Sequence, residues 1–216
     1  ARTVDQREDI VVSPCDAIVG EHGDIVGTTV FQAKGFPYYL EDLIPDRGVR
    51  ERYRNGKYIT LRLKSSMYHR FHAPLDCRIP EVTYISGDTW NVNPIALQRI
   101  EKLYCKNERA VINLDTGRPD SSVCLVAVAA ILVASIRLHW LEDLLDMHYK
   151  GPQKIACDAA FSKGDELGYF QHGSTIILFA TSDFAFCDDI RTGERVQMGR
   201  ALLSYSEPQP LNEVTT

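Results

Sequence analysis

The chain has 216 residues and a mass of 24.4 kDa, with 44% apolar residues, 25% charged residues and a formal net charge of −5. That length supports one substantial core or two small domains at most, and the balance is that of a soluble globular protein. A net-negative chain without a run of like charges excludes a protein devoted to nucleic acid, which needs a clustered basic surface.

In chain order, the first strand signal is DIVVSPCDAIVG at residues 9–20. YLEDLIPD at 39–46 offers a short amphipathic turn or two, ended by Pro45. KYITLRL at 57–63 and CRIPEVTYI at 77–85 are β-branched, apolar runs that read as strands. The spacing predicts a helix over NPIALQRIEKLYCKN at 93–107: Asn93 can cap it, Pro94 suits its first turn, and Ile95, Leu97, Ile100 and Leu103 give an apolar side. RAVINL at 109–114 is a strand, and the valines and isoleucines of 123–136 favour one long strand or two short ones. WLEDLLDMHYKG at 140–151 is a third helical candidate, stopping at Gly151. STIILFA at 174–180 is the last strand signal, and the polar, Pro-containing tail SEPQPLNEVTT is expected to be loose. Many short strands with few helices predict a β-rich α+β fold: packed antiparallel sheets, sandwich- or barrel-like, with helices at the margin. Neither repeat nor linker divides the chain, so residues 1–216 read as a single domain.

Six cysteines lie scattered without C-x-x-C spacing or a Cys/His cluster, which reads as reduced thiols and no metal site. There is no signal peptide, and the longest apolar stretch, 123–135, falls short of the roughly 20 residues that span a bilayer. The chain begins at Ala1, as a piece trimmed from something longer would.

Four residues are candidates for chemistry. Asp16 follows Pro14 in a turn, where an aspartate commonly bonds its own backbone. His69 and His72 are three apart in YHRFHAP; Pro74 makes the segment extended or turning, so the two rings face different ways and can do different work. A surface histidine beside a hydrogen-bonded core histidine is the plainer account of the pair. Ser174 follows a glycine at a strand entrance, where a turn hydroxyl is ordinary. Asp, His and Ser are also the types from which an activated nucleophile is assembled, the base taking the hydroxyl proton and the carboxylate holding its tautomer. No G-x-S-x-G elbow is present, so an α/β-hydrolase is unsupported.

The ordered set SPCDAIV, AKGFPYYLEDLI, YHRFHAPLDCRI, GDTWNVNPIAL, KNERAVI and KGDELGYFQHGSTIILF resembles the phosphatidylserine decarboxylase family, from Val12 to about Leu202. The resemblance implies a self-processing enzyme cut between Gly173 and Ser174 into a β chain, 1–173, and an α chain, 174–216, which stay together. It implies that Ser174 Oγ attacks the Gly173 carbonyl and that a pyruvoyl cofactor forms at Ser174. It further implies that this group decarboxylates phosphatidylserine to phosphatidylethanolamine through a Schiff base. His72, oriented by Asp16, matches the family's base, and His69 matches the residue that reprotonates the product. The enzyme would sit peripherally on the cytoplasmic side of a membrane, with contact through an N-terminal region absent here, and a homodimer stays open.

The sequence departs from the family pattern in several places. His172 stands before the Gly-Ser pair, Ala17 where a glycine is usual, and Met67 where an aspartate commonly precedes the tyrosine. The segment between Trp140 and Lys163 is short, without the tryptophan-rich stretch of membrane-type members. Two alternatives therefore stand beside phosphatidylserine: a cytoplasmic relative acting on a free amino acid, and a family member that folds without being processed.

Overall fold

The computed structural model describes residues 2–33, 36–130, 135–171 and 173–205. The elements run β1 (Ile10–Val12), β2 (Ala17–Asp24), β3 (Thr29–Ala33), β4 (Phe36–Tyr39), α1 (Leu40–Leu43), α2 (Arg47–Glu51), β5 (Lys57–Leu63), β6 (Arg70–His72) and β7 (Cys77–Ile85). They continue with α3 (Pro94–Leu97), α4 (Leu103–Lys106), β8 (Arg109–Asp115), β9 (Ser122–Val128), β10 (Ser135–Leu138) and β11 (Leu145–Asp146). The last are β12 (Lys154–Phe161), β13 (Glu166–Phe170), β14 (Ser174–Ala180), β15 (Phe184–Phe186), β16 (Arg195–Val196) and β17 (Ala201–Tyr205).

An antiparallel sheet of order β12-β7-β8-β9-β14-β5-β2-β16 forms the backbone of the fold. β14 lies near its centre, paired with β5 on one side and β9 on the other. All seven of its residues are buried because both of its faces are covered. Ile176, Leu178 and Ala180 join a core with Phe71, Ile136, Leu138, Leu145, Leu167 and Phe170 of the smaller sheet, whose order is β11-β10-β13-β6. Ile177 and Phe179 join the opposite core, with Tyr38, Leu40, Leu43, Leu97, Leu103 and Tyr104 from the β4 strand and the helices. A strand buried on both faces shows a continuous apolar run instead of alternation, which is why STIILFA reads as it does.

The β-rich α+β expectation therefore holds, with packed antiparallel sheets and four short helices among the described residues. Two helical expectations do not. The single helix over 93–107 is two short helices, α3 and α4, with Lys102 between them at φ 52°. Asn93 does cap the first, its side chain accepting from Ala96 N–H at 2.8 Å. The break follows from buried Gln32, whose amide donates to the Leu97 and Ile100 carbonyls (2.9 and 2.8 Å) and accepts from Leu103 N–H. One side chain thus satisfies the end of one helix and the start of the next. The helix expected over 140–151 is absent. Leu145 instead pairs with Ile136 as part of β11 and is buried in the sheet-to-sheet core, so pairing outweighs local helical patterning. The tail 206–216 lies outside the described residues.

Candidate active site

Ser174 opens β14 and pairs with Leu63 at the end of β5. The residue is 1% exposed, and its Oγ has no hydrogen-bond partner among the described residues. A buried hydroxyl without a partner loses the free energy of its lost water contacts, so it stands out from the ordinary strand-entry serine. Gly173 lies against the end of β5 and the residues that follow it: a Cβ placed there would come 3.2 Å from the Leu63 carbonyl oxygen and 3.4 Å from Ser65 N. Both residues line a cleft of about 630 Å³ with Arg62, Lys64, Val92 and Asn93 among its walls. His172 lies outside the described residues.

His72 ends β6 and is 7% exposed. Its Nδ1 is 2.8 Å from the Gly164 carbonyl oxygen. A carbonyl can only accept, so Nδ1 carries the proton and Nε2 is left as the acceptor. Nε2 faces the Tyr68 hydroxyl at 3.2 Å, and the two rings stack with centroids 5.9 Å apart. Burial lowers the His72 pKa below the usual histidine value, with the Gly164 bond and Glu166 opposing. The ring is therefore a neutral base with a defined free nitrogen.

Asp16 is 7% exposed and holds a different set of partners. Arg2 reaches it through Nε and Nη2 at 2.8 and 2.7 Å, and Met198 N–H donates to it at 3.0 Å. The Arg2 bonds hold its carboxyl below the usual aspartate range, with burial opposing and Met198 N–H assisting. The guanidinium of Arg2 also lies 4.0 Å over the Tyr68 ring. Asp16, Arg2, Tyr68 and His72 thus form a chain of contacts, and no hydrogen bond joins Asp16 to His72 among the described residues. The tautomer-fixing partner expected of Asp16 is supplied by the Gly164 carbonyl, because the Asp16 oxygens are already committed to Arg2 and Met198.

His69 is half-buried, just before β6, and its carbonyl accepts from Phe170 N–H at 3.0 Å. That bond ties the residue to the strand whose continuation leads into Gly173 and Ser174. The two histidines differ in burial, His72 being buried and His69 half-buried. Sequence reasoning missed Arg2, Tyr68 and Gly164. Tyr68 sits inside the YHRFH stretch and could have been singled out there; Gly164 acts through its backbone, which leaves no side-chain signal.

A sequence model described as phosphatidylserine decarboxylase matches residues 1–204. Relatives named phosphatidylserine decarboxylase proenzyme include one from Alteromonas mediterranea, 33% identical over 218 residues, covering 97% of this chain and 66% of that protein. One from Pseudoalteromonas atlantica is 33% identical over 214 residues, covering 96% of this chain and 74% of that protein. One from Brevibacillus brevis is 32% identical over 206 residues, covering 94% of this chain and 73% of that protein.

Proposed function

This chain belongs to the phosphatidylserine decarboxylase family, a family of carboxy-lyases, and on that premise we propose that it is a proenzyme that cuts itself between Gly173 and Ser174. The observation that carries this reading is the Ser174 hydroxyl, buried, unpartnered among the described residues, and adjacent to a glycine on a cleft wall. Ser174 Oγ attacks the carbonyl carbon of Gly173, the Gly173–Ser174 amide bond breaks, and the acyl group passes to oxygen as an ester. His72 takes the hydroxyl proton on Nε2, directly or through the Tyr68 hydroxyl beside it. Removal of the Ser174 Cα proton then expels the Gly173 carboxylate by β-elimination, and water replaces the nitrogen of the resulting dehydroalanine, which leaves as ammonia. This puts the keto group at the head of a 43-residue α chain, 174–216, beside the β chain, 1–173. Asp16 acts in this reading by holding Arg2 against Tyr68.

The group this family calls for is a pyruvoyl made from Ser174 itself, and a buried residue at a cleft, with an orphaned Oγ, fits it. Its carbonyl supplies condensation with a substrate amine and an electron sink as carbon dioxide leaves. His69, tied to β13 ahead of the cut, donates the proton that replaces the lost carboxyl group.

Phosphatidylserine is favoured over a free amino acid because Arg62 and Lys64 line the cleft beside Ser174. Neither is in an ion pair among the described residues, and a phosphodiester gives such cations a partner that a free amino acid lacks. Trp90 and Ile95, 48% and 62% exposed, flank the cleft segment 91–94 and suit peripheral contact with a bilayer on the cytoplasmic side. Intact mass spectrometry tests the maturation: the parent chain should resolve into two species parting between 173 and 174, and Ser174→Ala should remain whole. A parent chain that stays at 24.4 kDa on incubation would sink the proposal. Carbon dioxide release from phosphatidylserine vesicles, against release from free serine, decides the substrate.

A further inference from the structure

The N-E-R stretch at 107–109 has two residues whose structural work is complete and one whose work is not. Asn107 donates to the Trp90 and Ala129 carbonyls (2.8 and 2.9 Å) and accepts from Trp90 N–H at 3.0 Å. Arg109 donates to the carbonyls of Leu43, Cys105, Asn107 and Asp42 at 2.7–3.1 Å, tying the helices to the sheet. Glu108 between them is 0% exposed, yet neither carboxyl oxygen has a hydrogen bond of ordinary geometry among the described residues. The nearby Tyr84 hydroxyl gives its bond to the Asp146 carbonyl at 2.7 Å. The Tyr84 hydroxyl is close enough to hold the Glu108 pKa down, but its own proton goes to Asp146, and a carboxyl buried with so few bonds is costly.

Sheet register places this carboxyl with respect to the reactive serine. Val128 pairs with Arg109 on one side and Thr175 on the other. The next row is therefore Glu108, Ala129 and Ser174, and the Ala129 N–H bond to the Glu108 carbonyl at 2.9 Å continues it. Ser174 in turn pairs with Leu63. Residues in one row of an antiparallel sheet present their side chains to the same face. That face is the one covered by the smaller sheet, since Leu63 and Ala129 belong to its core. Two strand spacings put the backbones of Glu108 and Ser174 roughly 10 Å apart, with only the methyl of Ala129 between them. Ser135 of the smaller sheet, 2% exposed, adds a further buried hydroxyl without a partner among the described residues.

We propose that Glu108 is a catalytic residue of the substrate-condensation step, exchanging protons with the substrate's amine at residue 174. This rests on the pyruvoyl reading above. The carboxylate takes a proton from the incoming ammonium, and the freed nitrogen forms its bond to the carbonyl carbon. The carboxyl then returns that proton to the oxygen, whose bond to carbon breaks as it leaves as water. Two of the ammonium's hydrogens depart with the oxygen in all, both by way of Glu108, and the carboxylate ends as it began. Burial raises the Glu108 pKa to about 7, with Tyr84 opposing and Asp146 adding, which suits a group that must both accept and give a proton near neutrality.

The test uses the matured protein and E108Q, E108D and parent forms. Intact mass reads cleavage, thermal melting reads folding, and cyanoborohydride with short-chain phosphatidylserine in detergent micelles traps the amine on the α chain as a mass increment. E108Q should be cut as completely as the parent yet trap at least 100-fold more slowly, with E108D recovering part of the rate. Trapping by E108Q at the parent rate overturns the proposal, and so does loss of cleavage, which would move the residue to maturation. If E108Q fails to fold, E108D decides: an unchanged trapping rate with its carboxyl drawn back counts against a direct role. A parent protein that neither cuts nor traps refutes the underlying pyruvoyl reading instead.

Discussion

Asp16→Ala removes the acceptor of three hydrogen bonds, and their settings differ enough to separate by measurement. Met198 N–H is buried, so leaving it without an acceptor costs about 1–3 kcal/mol. The Arg2 side chain is 34% exposed, so its ion pair, discounted for solvent screening, adds about 1 kcal/mol despite good bidentate geometry. Together these give about 3 kcal/mol, or a fall in Tm of roughly 6–12 °C for a chain near 200 residues. Asp16→Asn keeps an oxygen for Met198 N–H and loses mainly the charge, so it should cost only roughly 2–4 °C. Both are to be made in a Ser174→Ala background, so that every protein melted is one uncut chain, and followed by calorimetry or circular dichroism. Equal melting points for the two variants would refute the part assigned to Met198. An Asp16→Ala protein within about 2 °C of its background would refute the account of Asp16 as the anchor of Arg2 altogether.

Other outcomes follow from the same site. His69→Ala should still cut between 173 and 174 but release carbon dioxide at least 100-fold more slowly, measured by mass and by trapped gas; loss of cleavage would show that the two histidines are not divided as proposed. Because burial lowers the His72 pKa, its neutral form persists below the ordinary value of about 6.5. The cleavage rate should therefore fall with pH at a midpoint below about 6.5, and a midpoint above about 7 would count against His72 as base. The unfolded chain takes that proton first as pH falls, so stability declines in the same direction through the same window.

The sequence by itself determined the strands that carry the fold. Residues 57–63, 77–85 and 174–180 appear with the expected bounds, because β-branched runs buried in a sheet carry their own signal. It missed β12, an edge strand that alternates exposed residues such as Ala156 with half-buried ones such as Ala159, whose pattern is faint without the neighbour that pairs with it. Motif order was enough to point to the family. Residue type was enough to single out Asp16, His69, His72 and Ser174 as candidates for chemistry. What only the tertiary structure decided is who touches whom. Gln32 splits a helix from about 70 residues away, a backbone carbonyl at Gly164 sets the His72 tautomer, and Arg2 takes the carboxylate first assigned to the histidine. Sheet register likewise puts Glu108 and Ser174 on one face although 66 positions separate them. Local patterning reports how each segment buries its own surface, whereas hydrogen-bond partners and strand rows are set by segments far away in sequence.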